Sequence, residues 1–149
     1  LSSAFSSAVV SWLATLRNRP IQWKKNVIRV LGIAYSTGIL VTIGIVIFGA
    51  VLSIWLGVKG VDHRLQWIQG ITVGLQIANC FHAAILLAST NTCKLYRVAR
   101  NAALLLAVLL PLGVWQGGIV GVALSVLLAE LLVAGQYIHY FWKKMWSFS

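Results

Sequence analysis

Few residues in this chain can do chemistry, and their spacing is informative. Gln69, Thr72, Gln76 and Asn79 recur at intervals of 3, 4 and 3, so they line one side of a helix. Glu130 stands alone in an otherwise uncharged stretch, 119–141, and Asp62 is the only other acidic residue. A stripe of amides can hydrogen-bond a hydrophilic solute such as a sugar. It can equally bond a neighbouring helix, at about 0.6 kcal/mol per contact. An ionised carboxylate in apolar surroundings is expensive, so Glu130 is expected to be protonated, paired or in water. It is a candidate proton or cation coupling site or substrate contact; a protonated Glu bonded to a neighbouring helix is the plainer alternative. The candidate substrate-binding residues are therefore Gln69, Gln76, Asn79 and Glu130.

Catalytic residues are not in view. The sequence holds no G-x-S-x-G, no H-E-x-x-H, no P-loop and no paired carboxylates, and two acidic residues leave few players for general acid–base work. The chain therefore reads as a non-enzyme with no cofactor and no metal site. His82 reads as a helix-contact residue, and His63 and His139 as solvated or at headgroup level. Cys80 falls in a span and Cys93 in a basic stretch. Both are expected as reduced thiols, one packed among helices and one on the cytoplasmic side.

These residues must be held by elements that the charge distribution reveals. Segments 31–56, 65–88 and 101–116 contain no Lys, Arg, Asp or Glu. Runs of about 20 apolar residues match a hydrocarbon core of roughly 30 Å. The chain is 60% hydrophobic and 9% charged, with mean hydropathy +0.89. A soluble domain of 149 residues has too much surface for its volume to hide so much apolar area. The expected fold is all-α: a polytopic membrane helix bundle forming a single transmembrane region, 1–149. It has four full spans at about 31–56, 65–88, 101–116 and 119–141, an N-terminal partial helix, 1–15, and a basic interfacial connector, 17–29. In the connector, Pro20, Ile21, Val27, Ile28 and Leu31 are expected on one face, with Lys24 and Lys25 snorkelling to phosphates. Pro111 is expected to kink the short third span, and Gln116, Gly117 and Gly118 to turn the last two spans into a hairpin. The opening, LSSAFSSAVVSWLATL, lacks the positive n-region of a signal peptide. It reads as the end of a helix begun upstream, so a fragment, or a numbering that starts within a longer protein, is expected.

The net charge of +10 raises nucleic acid as a partner, but the basic residues cluster at span ends and no compact basic domain carries them. They set an orientation instead. Arg17, Arg19, Lys24, Lys25 and Arg29 precede the first span, Lys94, Arg97 and Arg100 lie between the second and third, and Lys143 and Lys144 follow the last. Four crossings place all of these on one side and leave Lys59 and Arg64 on the other. The positive-inside rule makes the rich side, with the C-terminus, cytoplasmic. Trp55, Trp67 and Trp115 then mark the outer interface, and Trp23, Trp142 and Trp146 the inner one, as an aromatic belt requires. Small residues repeat every fourth position at Gly49, Ser53, Gly57, at Gly70, Gly74, Ala78 and at Gly117, Gly121, Ser125, Ala129. Such stripes allow helix backbones to approach closely in lipid.

The order of these features is familiar. A span ends in Val51-Leu52-Ser53-Ile54-Trp55-Leu56-Gly57, another ends in Leu86-Leu87-Ala88-Ser89-Thr90 before a basic stretch, and the last helix opens with Gly118-Ile119-Val120-Gly121-Val122-Ala123-Leu124. Together with the serine-rich start and basic connector, this resembles the C-terminal part of oligosaccharide flippases of the O-antigen and polysaccharide-exporter type. These belong to the multidrug, oligosaccharidyl-lipid and polysaccharide exporter superfamily. The resemblance implies a two-lobed transporter of a bacterial-type inner membrane. It would flip a polyprenyl-diphosphate-linked glycan by alternating access, with membrane lipid and the missing N-terminal lobe as partners. A half cavity does not alternate access alone, since such transporters rock one repeat against another. A multidrug or lipid II exporter of the same superfamily and a non-transporting membrane scaffold subunit are the alternatives.

Overall fold

The computed structural model describes residues 2–16, 18–55, 62–89 and 91–146. Arg17, Lys59 and Gly57, and the side chains of Ser53, Trp142, Lys143, Lys144 and Trp146, for which expectations were stated, lie outside this description. Every element among the described residues is α-helical: α1 (Ser2–Thr15), α2 (Pro20–Trp55), α3 (His63–Ala88) and α4 (Thr92–Trp146). Three of them, α2, α3 and α4, are long and apolar enough to cross a membrane, where four spans were expected. The last two expected spans both lie in α4.

Local chemistry explains most boundaries. Pro20 opens α2, the position where its missing N–H is no loss. The Asp62 carboxylate caps α3 by accepting from the Arg64 N–H at 2.9 Å, and it is also favourably placed against the positive helix end. The link from α3 to α4 is knotted shut. Ser89 N–H donates to Ile85 O, Asn91 N–H donates to Leu86 O, and the Asn91 amide donates to Ser89 Oγ at 2.9 Å.

Two expectations based on charge are corrected here. The connector is not a separate interfacial helix; from Pro20 it is the first part of α2. The basic stretch 92–100 is not a loop but the start of α4. Charges end a hydrophobic run without ending a helix, because long basic side chains carry the helix beyond the hydrocarbon and snorkel. The buried face of the connector also differs. Val27, Val30 and Ala34 are buried, whereas Ile21 and Ile28 are exposed.

The break in α4 falls at Gly118, not at Pro111. Gly118 alone is non-helical there, with φ 54° and ψ −132°. An unbroken helix would hold residues 109 and 125 about 24 Å apart, yet the Ser125 hydroxyl lies 2.8 Å from Leu109 O. Asn101 Nδ2 donates to Gln136 Oε1 at 3.3 Å, and Lys94 Nζ sits 5.5 Å above the Tyr140 ring. The two halves of α4 therefore run antiparallel, as the Gly117–Gly118 turn predicts. Proline loses a donor and crowds the carbonyl four residues back, but its φ stays helical. A left-handed backbone is strained for a residue with a Cβ. Gly118→Val is expected to lower stability by about 1–3 kcal/mol, read as thermal unfolding in detergent. Gly117→Ala, with nothing within 4 Å of its added Cβ, is the control.

α3 is the centre of the bundle, packed against α1, α2 and α4. It runs antiparallel to α2 and parallel to the second half of α4. Half of its apolar window is buried, against 17% for α2 and α4. A buried cluster of Leu13, Val27, Val30, Ile85, Val98 and Phe141 closes the end that carries the basic residues. Trp55, Trp67 and Trp115, all more than half exposed, lie toward the opposite end, where the helix register also puts the Gly118 turn. The accessible surface, 9781 Å², exceeds the roughly 7,500 Å² of a compact soluble chain of this mass. The excess is apolar: Ile39, Leu40, Ile47 and Phe48 on α2 and Leu104, Val108 and Leu128 on α4 are all exposed.

Candidate functional site

Two of the four expected site residues meet directly. Asn79 on α3 is 6% exposed and faces the second half of α4. Its Nδ2 donates to Glu130 Oε2 at 2.7 Å and to the Glu130 carbonyl at 3.1 Å. Glu130 is half-buried, and its carboxyl bonds an amide, not a base. Asn79 Oδ1 is buried with no hydrogen-bond partner. A buried acceptor without a donor costs about 1–3 kcal/mol. Glu130 stands eleven residues past Ile119, about 16 Å along the helix and near the middle of a membrane-length segment.

The other two expected residues lie elsewhere. Gln69 and Gln76 are exposed, about 60–80° around α3 from Asn79. The stripe is therefore split. Thr72 is buried and donates to Ile68 O on its own helix at 2.7 Å. Cys80, expected among helices, is exposed, as is Cys93.

His82 is the helix-contact residue that the sequence predicts. It is 1% exposed and joins three helices. Its Nδ1 lies 2.9 Å from Ala78 O; a carbonyl only accepts, so Nδ1 carries the proton. Nε2 is then free to accept from the Tyr35 hydroxyl on α2, 3.5 Å away. The imidazole stacks on Tyr137, 5.3 Å between centroids and 3° between planes, and leans on Phe141 at 5.5 Å. Tyr137 and Phe141 share the face of α4 that carries Glu130, at spacings 7 and 4. That spacing is a usable sequence signal; the link to Tyr35, 47 residues upstream of His82, is not.

Backbone contacts hold this polar seam in place. A Cβ on Gly74 would meet Gly38 O at 2.7 Å, and one on Gly113 would meet Gly121 O at 2.6 Å. Thr42 Oγ1 lies 2.9 Å from both Gly38 O and Gly70 O. The Gly70–Gly74 stripe is thus the α2–α3 crossing, and Gly121 is the crossing within α4. A Cβ on Gly117, from the same expected stripe, would meet nothing within 4 Å. Among the described residues no three His, Cys, Asp or Glu side chains gather as a metal site. The assembled chemistry is a carboxyl–amide contact beside an exposed amide face. No protein-family model matches the chain, and neither a curated protein nor a solved structure matches it at a significant level.

Proposed function

We propose that this chain is part of a transporter that moves a lipid-linked oligosaccharide across a bacterial-type cytoplasmic membrane by alternating access. The observation that carries the reading is the exposure of Gln76 halfway along α3, a helix long and apolar enough to cross a membrane. An amide at that depth is costly against lipid, so its face lines water or a polar partner. Gln69 extends the same face. In this reading α2, α3 and both halves of α4 each cross, the basic end is cytoplasmic, and a second lobe supplies the opposite wall. The substrate is a polyprenyl-diphosphate-linked glycan, whose sugars bond Gln69 and Gln76. Asn79–Glu130 is the coupling pair. The resemblance to polysaccharide flippases supports the cargo class and the second lobe.

Glu130→Gln keeps the shape and removes the ionisable group. Glycan export by cells carrying it is expected to slow about tenfold, the equivalent of 1.4 kcal/mol, with the amount of protein in the membrane unchanged. Normal export by that variant would remove the coupling role. The close glycine crossings favour a second reading, a scaffold subunit. It predicts that Glu130→Gln is silent while Gly74→Leu abolishes assembly with partner helices.

A further inference from the structure

The basic residues of this chain have almost no counter-charge within it. Of its two acidic side chains, Asp62 caps α3 and Glu130 is bonded to Asn79. On the outer face of α4 a shallow groove is lined by Thr92, Cys93, Tyr96, Arg97 and Arg100. Both arginines are exposed, and Tyr96 beside them is 70% exposed. Neither guanidinium has an acidic partner among the described residues.

Their position along the helix is specific. At 100° per residue, Cys93, Arg97, Arg100, Leu104 and Val108 fall within a sector of about 80°. Arg97 and Arg100 are one turn apart and can present two planar donor forks to one tetrahedral anion. Directly along the same face come Leu104, 62% exposed, and Val108, 59% exposed. They stand about 6 and 12 Å beyond Arg100. A charged clamp followed by an uncovered apolar track is the shape of an amphiphile with an anionic head.

We propose that this face binds one anionic phospholipid, its phosphate between Arg97 and Arg100, with Tyr96 at headgroup level and an acyl chain along Leu104 and Val108. The site lies apart from Asn79–Glu130 and is independent of the cargo. The Lys24 and Lys25 side chains are exposed as well. They stand on α2 above exposed Ile28 without a paired fork, so they add to the general field and not to this site.

The test is native mass spectrometry of the full chain with phosphatidylglycerol or phosphatidylcholine. Wild type is expected to retain phosphatidylglycerol over phosphatidylcholine. Arg97→Gln/Arg100→Gln is expected to lose about tenfold in that preference, whereas Lys24→Gln/Lys25→Gln, with the same loss of charge, keeps it. Equal losses in the two variants would mean a diffuse field, and no loss in the arginine variant would mean no site; either overturns the proposal. Displacement of the lipid by millimolar inorganic phosphate alone would assign the groove to a soluble anion and also overturn it. A second measurement keeps both arginines. In a Cys80→Ala background, saturating phosphatidylglycerol is expected to slow labelling of Cys93 by a water-soluble maleimide. Unchanged labelling would refute the proposed position.

Discussion

Gly74→Leu is expected to be among the most damaging substitutions in this protein. The added Cβ meets the carbonyl of Gly38 at 2.7 Å and also the Thr42 hydroxyl. A flexible side chain can swing aside, but a backbone carbonyl inside α2 cannot move without moving the helix. Overpacking of this kind typically costs about 1–3 kcal/mol. Here the cost is at the upper end, because Thr42 also loses its approach to Gly70 O. The measurement is thermal unfolding in detergent followed by tryptophan fluorescence. Gly44→Leu is the matched control on α2, since nothing lies within 4 Å of its Cβ position. Equal stability of the two variants would mean that the α2–α3 crossing is not at Gly38 and Gly74.

The second large effect is expected at His82. Its ring is almost fully buried and stacks on Tyr137 while Tyr35 approaches from the other side. His82→Ala removes these contacts from three helices and leaves a cavity, as large-to-small changes in a packed interior do at about 2–5 kcal/mol. Tyr35→Phe separates packing from hydrogen bonding: it keeps the ring and deletes only the 3.5 Å hydroxyl contact. Interhelical hydrogen bonds in membranes average about 0.6 kcal/mol, so Tyr35→Phe is expected to be nearly silent. Unfolding midpoints of both variants check this. A Tyr35→Phe loss as large as that of His82→Ala would show that the hydrogen bond, and not the stacking, joins α2 to the seam.

Much of the architecture was legible before any coordinates. The uncharged runs located α3 and the interior of α2 and α4. The Gly117–Gly118 turn predicted the reversal in α4, and the Gly70–Gly74 stripe predicted a close helix crossing. The errors have one physical origin. Charge marks where a segment leaves hydrocarbon, and helix ends depend on backbone hydrogen bonds and caps. Charge therefore puts span starts at Leu31 and Asn101, whereas the helices that contain them begin at Pro20 and Thr92. The chain reverses at Gly118, with φ 54°, and Pro111 stays within helical backbone.

The site divides along the same line. That Glu130 needs a partner follows from the cost of a lone carboxyl in an apolar run, which is a property of composition. That Asn79 meets Glu130 while Gln76 faces outward was decided by the rotation of α3 against the second half of α4. The meeting of Tyr35, His82 and Tyr137 was likewise decided by the register of three helices distant in sequence. Periodicity places residues on one face of one helix, because the 3.6-residue repeat is local. It does not say which face of a second helix lies opposite, because that is set by where glycine backbones can touch and where large side chains can interdigitate.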